Sequence, residues 1–156
     1  MQQGMYPLSD GELTSWLESQ ADIKPIFGGV FSRDTLPQKY HYKPTAYVVN
    51  TAPSSHPTGL HWISMFVGLP ICEYFDSLGG QPPPPFVKFL GPRYMYNSIK
   101  LQSDIPSCGY YSLYYIACRT RGISFGHIVQ DMYNTDDHTI VEAIHQLHPQ
   151  ANRNWS

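Results

Sequence analysis

The sequence predicts an α+β fold, a central mixed β-sheet flanked by helices. Three observations carry this. β-Rich runs at residues 45–51, 60–67 and 71–76 are short, and the last two are apolar on both faces, as strands covered from both sides are. Helical stretches with recognisable starts or stops occur from residue 9, across 108–120, from 124 and from 136. Twelve Gly and fourteen Pro imply many turns and few long helices. The 156 residues, 42% hydrophobic and 14% charged, suit one globular domain, residues 1–156, with a real core.

In chain order, Ser9 and Glu12 form a Ser-x-x-Glu capping box, with Leu8 and Leu13 placed as a hydrophobic staple. Leu13, Trp16 and Leu17 give that first helix one apolar face, and it should end near Gln20. Phe27-Gly28-Gly29-Val30-Phe31 reads as a short strand or loop, and residues 32–43 as a polar connection. Thr45-Ala46-Tyr47-Val48-Val49-Asn50-Thr51 is a buried strand, followed by a turn-rich loop over 52–59. Strands over 60–67 and 71–76 are joined by Gly68-Leu69-Pro70, short enough for a hairpin. Residues 78–85, with four consecutive prolines, form a stiff surface loop, and 86–90 a helical turn. A further strand is expected over 97–102. The helix over 108–120 is apolar nearly all round, hence buried, and is closed by Gly122. Ser124 caps a helix to about Met132; Asp136 or Asp137 caps the last, with Ile140, Val141, Ile144 and Leu147 at helical spacing. The tail from Pro149 is expected to be loose.

Several function classes lose support. A formal net charge of −2 with no Lys/Arg run gives no electrostatic footprint for nucleic acid. Arg119 and Arg121 read as satisfied cations at a helix end. No apolar run reaches the ~20 residues that span a bilayer, and the first residues lack a signal-peptide pattern, so an intracellular chain without membrane contact is expected. Cys72, Cys108 and Cys118 are odd in number and widely spaced, which argues against a disulfide framework and a zinc site. Cys72 and Cys118 read as core residues. No cofactor or metal is required.

Cys108 is different. It follows Ser103-Asp104-Ile105-Pro106-Ser107 and opens a helix. A thiol there faces unpaired backbone N–H groups and the positive end of the helix dipole, a setting that favours thiolate. A base is then needed. Of seven histidines, His41, His56, His127, His138, His145 and His148 lie in polar loops, near helix ends or on the terminal helix. His61 stands at the start of a buried strand, beside Trp62, where a rigid scaffold can present it. With the hairpin turning on residues 68–70, His61 faces residue 76 or 77, which puts Asp76 ~5 Å away on the same face. Glu73 would lie ~10 Å from it along the strand. Asp76 can thus fix the imidazole tautomer, although it also suits the first position of the turn Asp76-Ser77-Leu78-Gly79. Gln102, six residues before Cys108, can supply a side-chain N–H that joins the Cys108 backbone N–H as a two-donor oxyanion hole.

The order His61, Asp76, Gln102, Cys108 resembles that of the adenovirus endopeptidase (adenain) and the related SUMO/ubiquitin-like proteases; papain-like proteases place the cysteine first. Tyr47-Val48-Val49-Asn50-Thr51-Ala52, Gly59-Leu60-His61-Trp62, Cys72-Glu73-Tyr74-Phe75-Asp76-Ser77-Leu78-Gly79, Gln102 and Ser107-Cys108-Gly109 look like consecutive adenain segments. So do the first helix and Gly28, Phe31, Asp34 and Pro37, and the similarity spans roughly residues 8–120. The resemblance implies a papain-like, adenain-like architecture with the His-Asp-Gln-Cys order circularly permuted. It implies a monomeric cysteine endopeptidase, with Cys108 as nucleophile, His61 as general base and acid, Asp76 orienting it and Gln102 in the oxyanion hole. Trp62 would pack near the site. Substrates would be viral, or virus-like element, precursor proteins cleaved after glycine, in a host nucleus or virion. The residue before the nucleophile, Ser107, is one where SUMO proteases typically show Asp, which leans toward the viral branch. Adenain-type activators, a disulfide-linked peptide and DNA, find little support: Cys72 lies too early in its strand to match the bonding cysteine, and the charge is mildly acidic. Two alternatives remain: removal of SUMO- or ubiquitin-like modifiers, and a catalytically dead binding or structural module.

Overall fold

The computed structural model describes residues 7–37, 43–56, 61–103 and 105–147. Residues 1–6, His41, residues 57–60 of the loop before His61, Asp104, His148 and the tail from Pro149 lie outside the described residues.

Five strands and five helices follow one another as α1 (Asp10–Ser19), β1 (Phe27–Ser32), β2 (Thr45–Asn50), β3 (Trp62–Val67), β4 (Cys72–Phe75), α2 (Pro84–Leu90), β5 (Tyr94–Tyr96), α3 (Cys108–Thr120), α4 (Phe125–Tyr133) and α5 (Asp137–Leu147) among the described residues. The strands form one sheet in sequence order. The outer pairs, β1–β2 and β4–β5, are parallel; the inner pairs are antiparallel, so the sheet is mixed.

Strand alternation sends successive side chains to opposite faces. Ala46, Val48, Phe66 and Phe75 join Leu13, Trp16, Leu17 and the buried residues of α3, α4 and α5 in one core. Tyr47, Val49, Ile63, Met65, Val67 and Tyr74 pack with Phe86 and Leu90 of α2 in the other. Helix α3 is the spine of the larger core, buried from Cys108 to Leu113 and again at Tyr115, Ile116 and Ala117. The capping box of α1 forms as expected: the Glu12 N–H donates to Ser9 Oγ at 3.1 Å and the Ser9 N–H to Glu12 Oε1 at 2.9 Å. Gly122, at φ +92°, takes the left-handed turn after α3.

Two expectations need correction. The β3–β4 hairpin pairs Ser64 with Phe75 and Phe66 with Glu73. Its connection runs over four residues, 68–71, because Ile71 stays exposed in the turn rather than starting the strand. Extended along the strands, this register sets His61 across from Leu78 and leaves Asp76 two positions away on the same face. The second correction concerns residues 97–102, which form no strand. The edge strand is β5, just before them, and pairs with β4. The backbone that follows is satisfied differently. The Asn97 side-chain amide accepts from the Asp76 N–H at 2.9 Å and donates to the Asp76 carbonyl at 2.5 Å, as a strand would. The Leu101 and Gln102 N–H groups both donate to the Ser77 carbonyl.

Candidate active site

A tight turn at Ile105–Ser107 feeds directly into α3, so its first residue, Cys108, is held at the helix start. The side chain is buried, 8% exposed, and the backbone N–H of Trp62 reaches its sulfur at 3.5 Å. The close approach of α3 to this region depends on Gly109, where a Cβ would meet Leu8 at 3.2 Å and Trp62 at 3.5 Å. Trp62 is fixed in turn: its indole N–H donates to the Leu8 carbonyl at 2.9 Å, and the Ser112 hydroxyl donates to its carbonyl at 3.4 Å.

His61 lies one residue before β3, and its carbonyl accepts from the Thr51 N–H at 2.8 Å. Nε2 of its ring sits 2.5 Å from Asp76 Oδ1, and the ring lies close enough to Cys108 to feel its side chain. With Nε2 engaged by the carboxylate, Nδ1 is the nitrogen for the sulfur. Burial disfavours the charged ring, but the hydrogen bond and charge of Asp76, with a further contribution from Cys108, outweigh it. The result holds the ring proton up to about 9.

Asp76 follows the last residue of β4 and is 6% exposed. Besides facing His61, its Oδ1 accepts from the Leu78 N–H at 2.8 Å, and its carbonyl from Gly79. It therefore both faces the imidazole and starts the turn. Asn97 clamps its backbone, and Gly80 leaves room beside the carboxylate, since a Cβ there would stand 2.9 Å from Oδ2.

The structure thus brings His61, Asp76 and Cys108 together: a hydrogen bond joins His61 to Asp76, and His61 and Cys108 line one cleft. Gln102 is 2% exposed, and its Oε1 accepts from the Ser77 hydroxyl, next to Asp76. That contact is to the chain neighbour of Asp76, not to His61, Asp76 or Cys108 itself. Sequence reasoning missed Asn97, Ser77 and Asp137, whose carboxylate binds Ser103, Ser107 and Tyr111. Nothing local marks these roles, because each partner lies more than 20 residues away.

A cleft of about 630 Å³ opens beside Cys108 and His61, walled by Trp62, Leu8, Val30, Phe31, Asn50, Ser54 and His56. Asp34 braces that wall, accepting from both the N–H and the hydroxyl of Ser54 at 2.7 Å. The other cysteines differ in setting. Cys118 is held up by burial as a thiol, and Cys72 lies in β4 against the smaller core. Arg119 and Arg121 are paired with Glu73 and Asp22. No described helix is long and apolar enough to cross a membrane.

Comparison with known proteins gives one consistent direction. No family model matches the chain. The SUMO-1 cysteine protease S273R of an African swine fever virus isolate is 30% identical over 104 residues, covering 52% of this chain and 38% of that protein. The cysteine protease S273R of another strain of the same virus aligns to the same extent. The chain thus spans well under half the length of the curated relatives it matches. Among solved structures, the African swine fever virus pS273R protease superposes with a TM-score of 0.59 at 20% identity, over 88% of this chain and 68% of that one. The SUMO protease Ulp1, solved with its catalytic cysteine oxidised to a sulfinic acid, gives a TM-score of 0.50 at 12% identity, over 88% and 78%. The α+β fold is that of these cysteine proteases.

Proposed function

We propose that the chain is a cysteine protease that hydrolyses peptide or isopeptide bonds through Cys108, His61 and Asp76, with Gln102 in the oxyanion hole. The observation that carries this reading is the 2.5 Å contact between the Asp76 carboxylate and the His61 ring, with that ring and Cys108 lining one cleft. An imidazolium beside a sulfur is the arrangement that favours a thiolate nucleophile.

The thiolate attacks the scissile carbonyl carbon, forming a C–S bond and an oxyanion. The Cys108 backbone N–H and the Gln102 side-chain N–H stabilise that charge. His61 gives its proton to the leaving nitrogen as the C–N bond breaks, which leaves a thioester. Water, deprotonated by His61, then attacks the thioester and releases the acid and the thiolate. Asp76 holds the ring tautomer throughout. Because Asp76, His61 and Cys108 are already brought together within one chain, the reading includes activity as a monomer, without a peptide or DNA activator.

Two substrate classes are supported, both cut after glycine. The adenain resemblance favours viral precursor proteins; the SUMO-1 and SUMO protease names of a relative and a structural neighbour favour removal of a SUMO-like modifier at least as well. A panel of modifier–aminomethylcoumarin conjugates run beside a Gly-Gly-x-Gly peptide library separates them. The chemistry itself is tested by iodoacetamide with mass mapping, in which Cys108 should react well ahead of Cys72 and Cys118. Cys108→Ala and His61→Ala should each abolish turnover, and Gln102→Ala should slow it about 10²-fold or more. Equal reactivity of the three thiols, with hydrolysis surviving Cys108→Ala, would sink the proposal.

A further inference from the structure

Asp137 is the first residue of α5 and is 4% exposed. Helix-start aspartates ordinarily turn back to cap their own helix. Here Asp136 does that work, accepting from the Thr139 N–H at 2.8 Å. The Asp137 carboxylate turns instead toward α3 and the connection that precedes it. Both of its oxygens lie 3.0 Å from the Ser103 N–H, Oδ2 accepts from the Ser107 hydroxyl at 3.1 Å, and Oδ1 from the Tyr111 hydroxyl at 2.8 Å.

The partners are informative by position. Ser103 directly follows Gln102, and Ser107 directly precedes Cys108. Tyr111 lies one helical turn into α3, and burial together with the carboxylate keeps its phenol protonated. One buried carboxylate therefore grips both ends of the connection between the two proposed oxyanion donors, and the helix that carries one of them. Five residues separate those donors along the chain. An oxyanion hole needs donors about 2.7–3.1 Å from the developing charge, so the register of this connection matters.

We propose that Asp137 is a positioning residue: it latches the connection between Gln102 and Cys108 and so sets the two oxyanion donors in register. This rests on the cysteine-protease reading above. The carboxylate touches no reacting atom, and its effect is confined to steps that develop an oxyanion. Asp137→Asn keeps the shape but turns an amide into a pocket of donors.

The test compares Asp137→Asn with the wild type in three measurements. These are hydrolysis of a Gly-Gly-ending peptide coumarin amide, or acylation by a p-nitrophenyl ester where no peptide is cut; affinity for a Gly-ending peptide aldehyde; and iodoacetamide alkylation of Cys108. The expected result is a kcat, or acylation rate, lower by about tenfold or more with KM within about threefold. Aldehyde affinity should fall in parallel, because the hemithioacetal uses the same hole. Alkylation, which forms no oxyanion, should stay within about threefold. Tyr111→Phe removes one arm of the latch and should give a smaller loss of the same kind; it carries the test where Asp137→Asn does not fold. Unchanged kcat and aldehyde affinity in a folded variant would overturn the inference, as would an equal loss of alkylation, which marks general damage. The underlying reading fails separately, in the wild type, where Cys108 would show neither selective alkylation nor acylation.

Discussion

At the scale of one residue, the His61 ring is set by opposing influences. Burial alone would push its proton off below the ordinary 6.5, and Asp76 and Cys108 restore it to about 9. Two pH effects follow. Folded-state protonation above the unfolded value adds stability that is complete below 6.5 and is lost as pH rises through about 9. The gap corresponds to about 3 kcal/mol. Urea titrations at pH 6 and pH 9.5 should show that loss in the wild type and little of it in His61→Ala. The acid role of His61 should also give kcat an alkaline limb near 9. In Asp76→Asn, burial goes unopposed by the carboxylate. The limb should move down by one pH unit or more while kcat falls at least about 100-fold. A limb that stays in place would remove Asp76 as the partner.

At the scale of elements, what the sequence made legible was whatever has a local cause. Ser9 with Glu12, Ser124 with His127, and Asp136 with Thr139 announce helix starts, because a cap is a contact over three residues. The bounds of α3 follow from its apolar run and Gly122. The hairpin register missed because nothing in Gly68-Leu69-Pro70-Ile71 says whether Ile71 belongs to the turn or to the strand. The missed edge has a similar origin. Asn97 was read as backbone-paired, yet its side chain replaces the ladder for Asp76. Asn97→Ala leaves both backbone groups of a buried Asp76 without that amide. It should cost about 2–4 kcal/mol by urea unfolding, at roughly 1–3 kcal/mol for each orphaned group. It should also lower kcat, since the acid loses its seat. An unchanged midpoint would mean that water serves these groups as well as Asn97 does.

At the scale of the whole molecule, the sheet is tied to the α3 spine by one polar and aromatic network. Phe75 stacks on Tyr115 with ring centroids 4.9 Å apart, the Tyr115 hydroxyl donates to Glu73, and Arg119 meets the same carboxylate at 3.0 Å. This network ties β4 to α3, and none of its residues lines the cleft. Glu73→Gln should therefore cost about 2 kcal/mol, roughly 4–8 °C in Tm, less than a fully buried pair because Arg119 keeps some contact with water. Turnover per folded molecule should stay within twofold; a large loss would tie the network to the site. The latch from α5 has a consequence in time. Asp137 enters the chain 29 residues after the thiol that it serves. On the assignment made above, α3 in place without α5 would present the nucleophile but no fixed oxyanion hole. Competence then waits on the docking of α5 against α3.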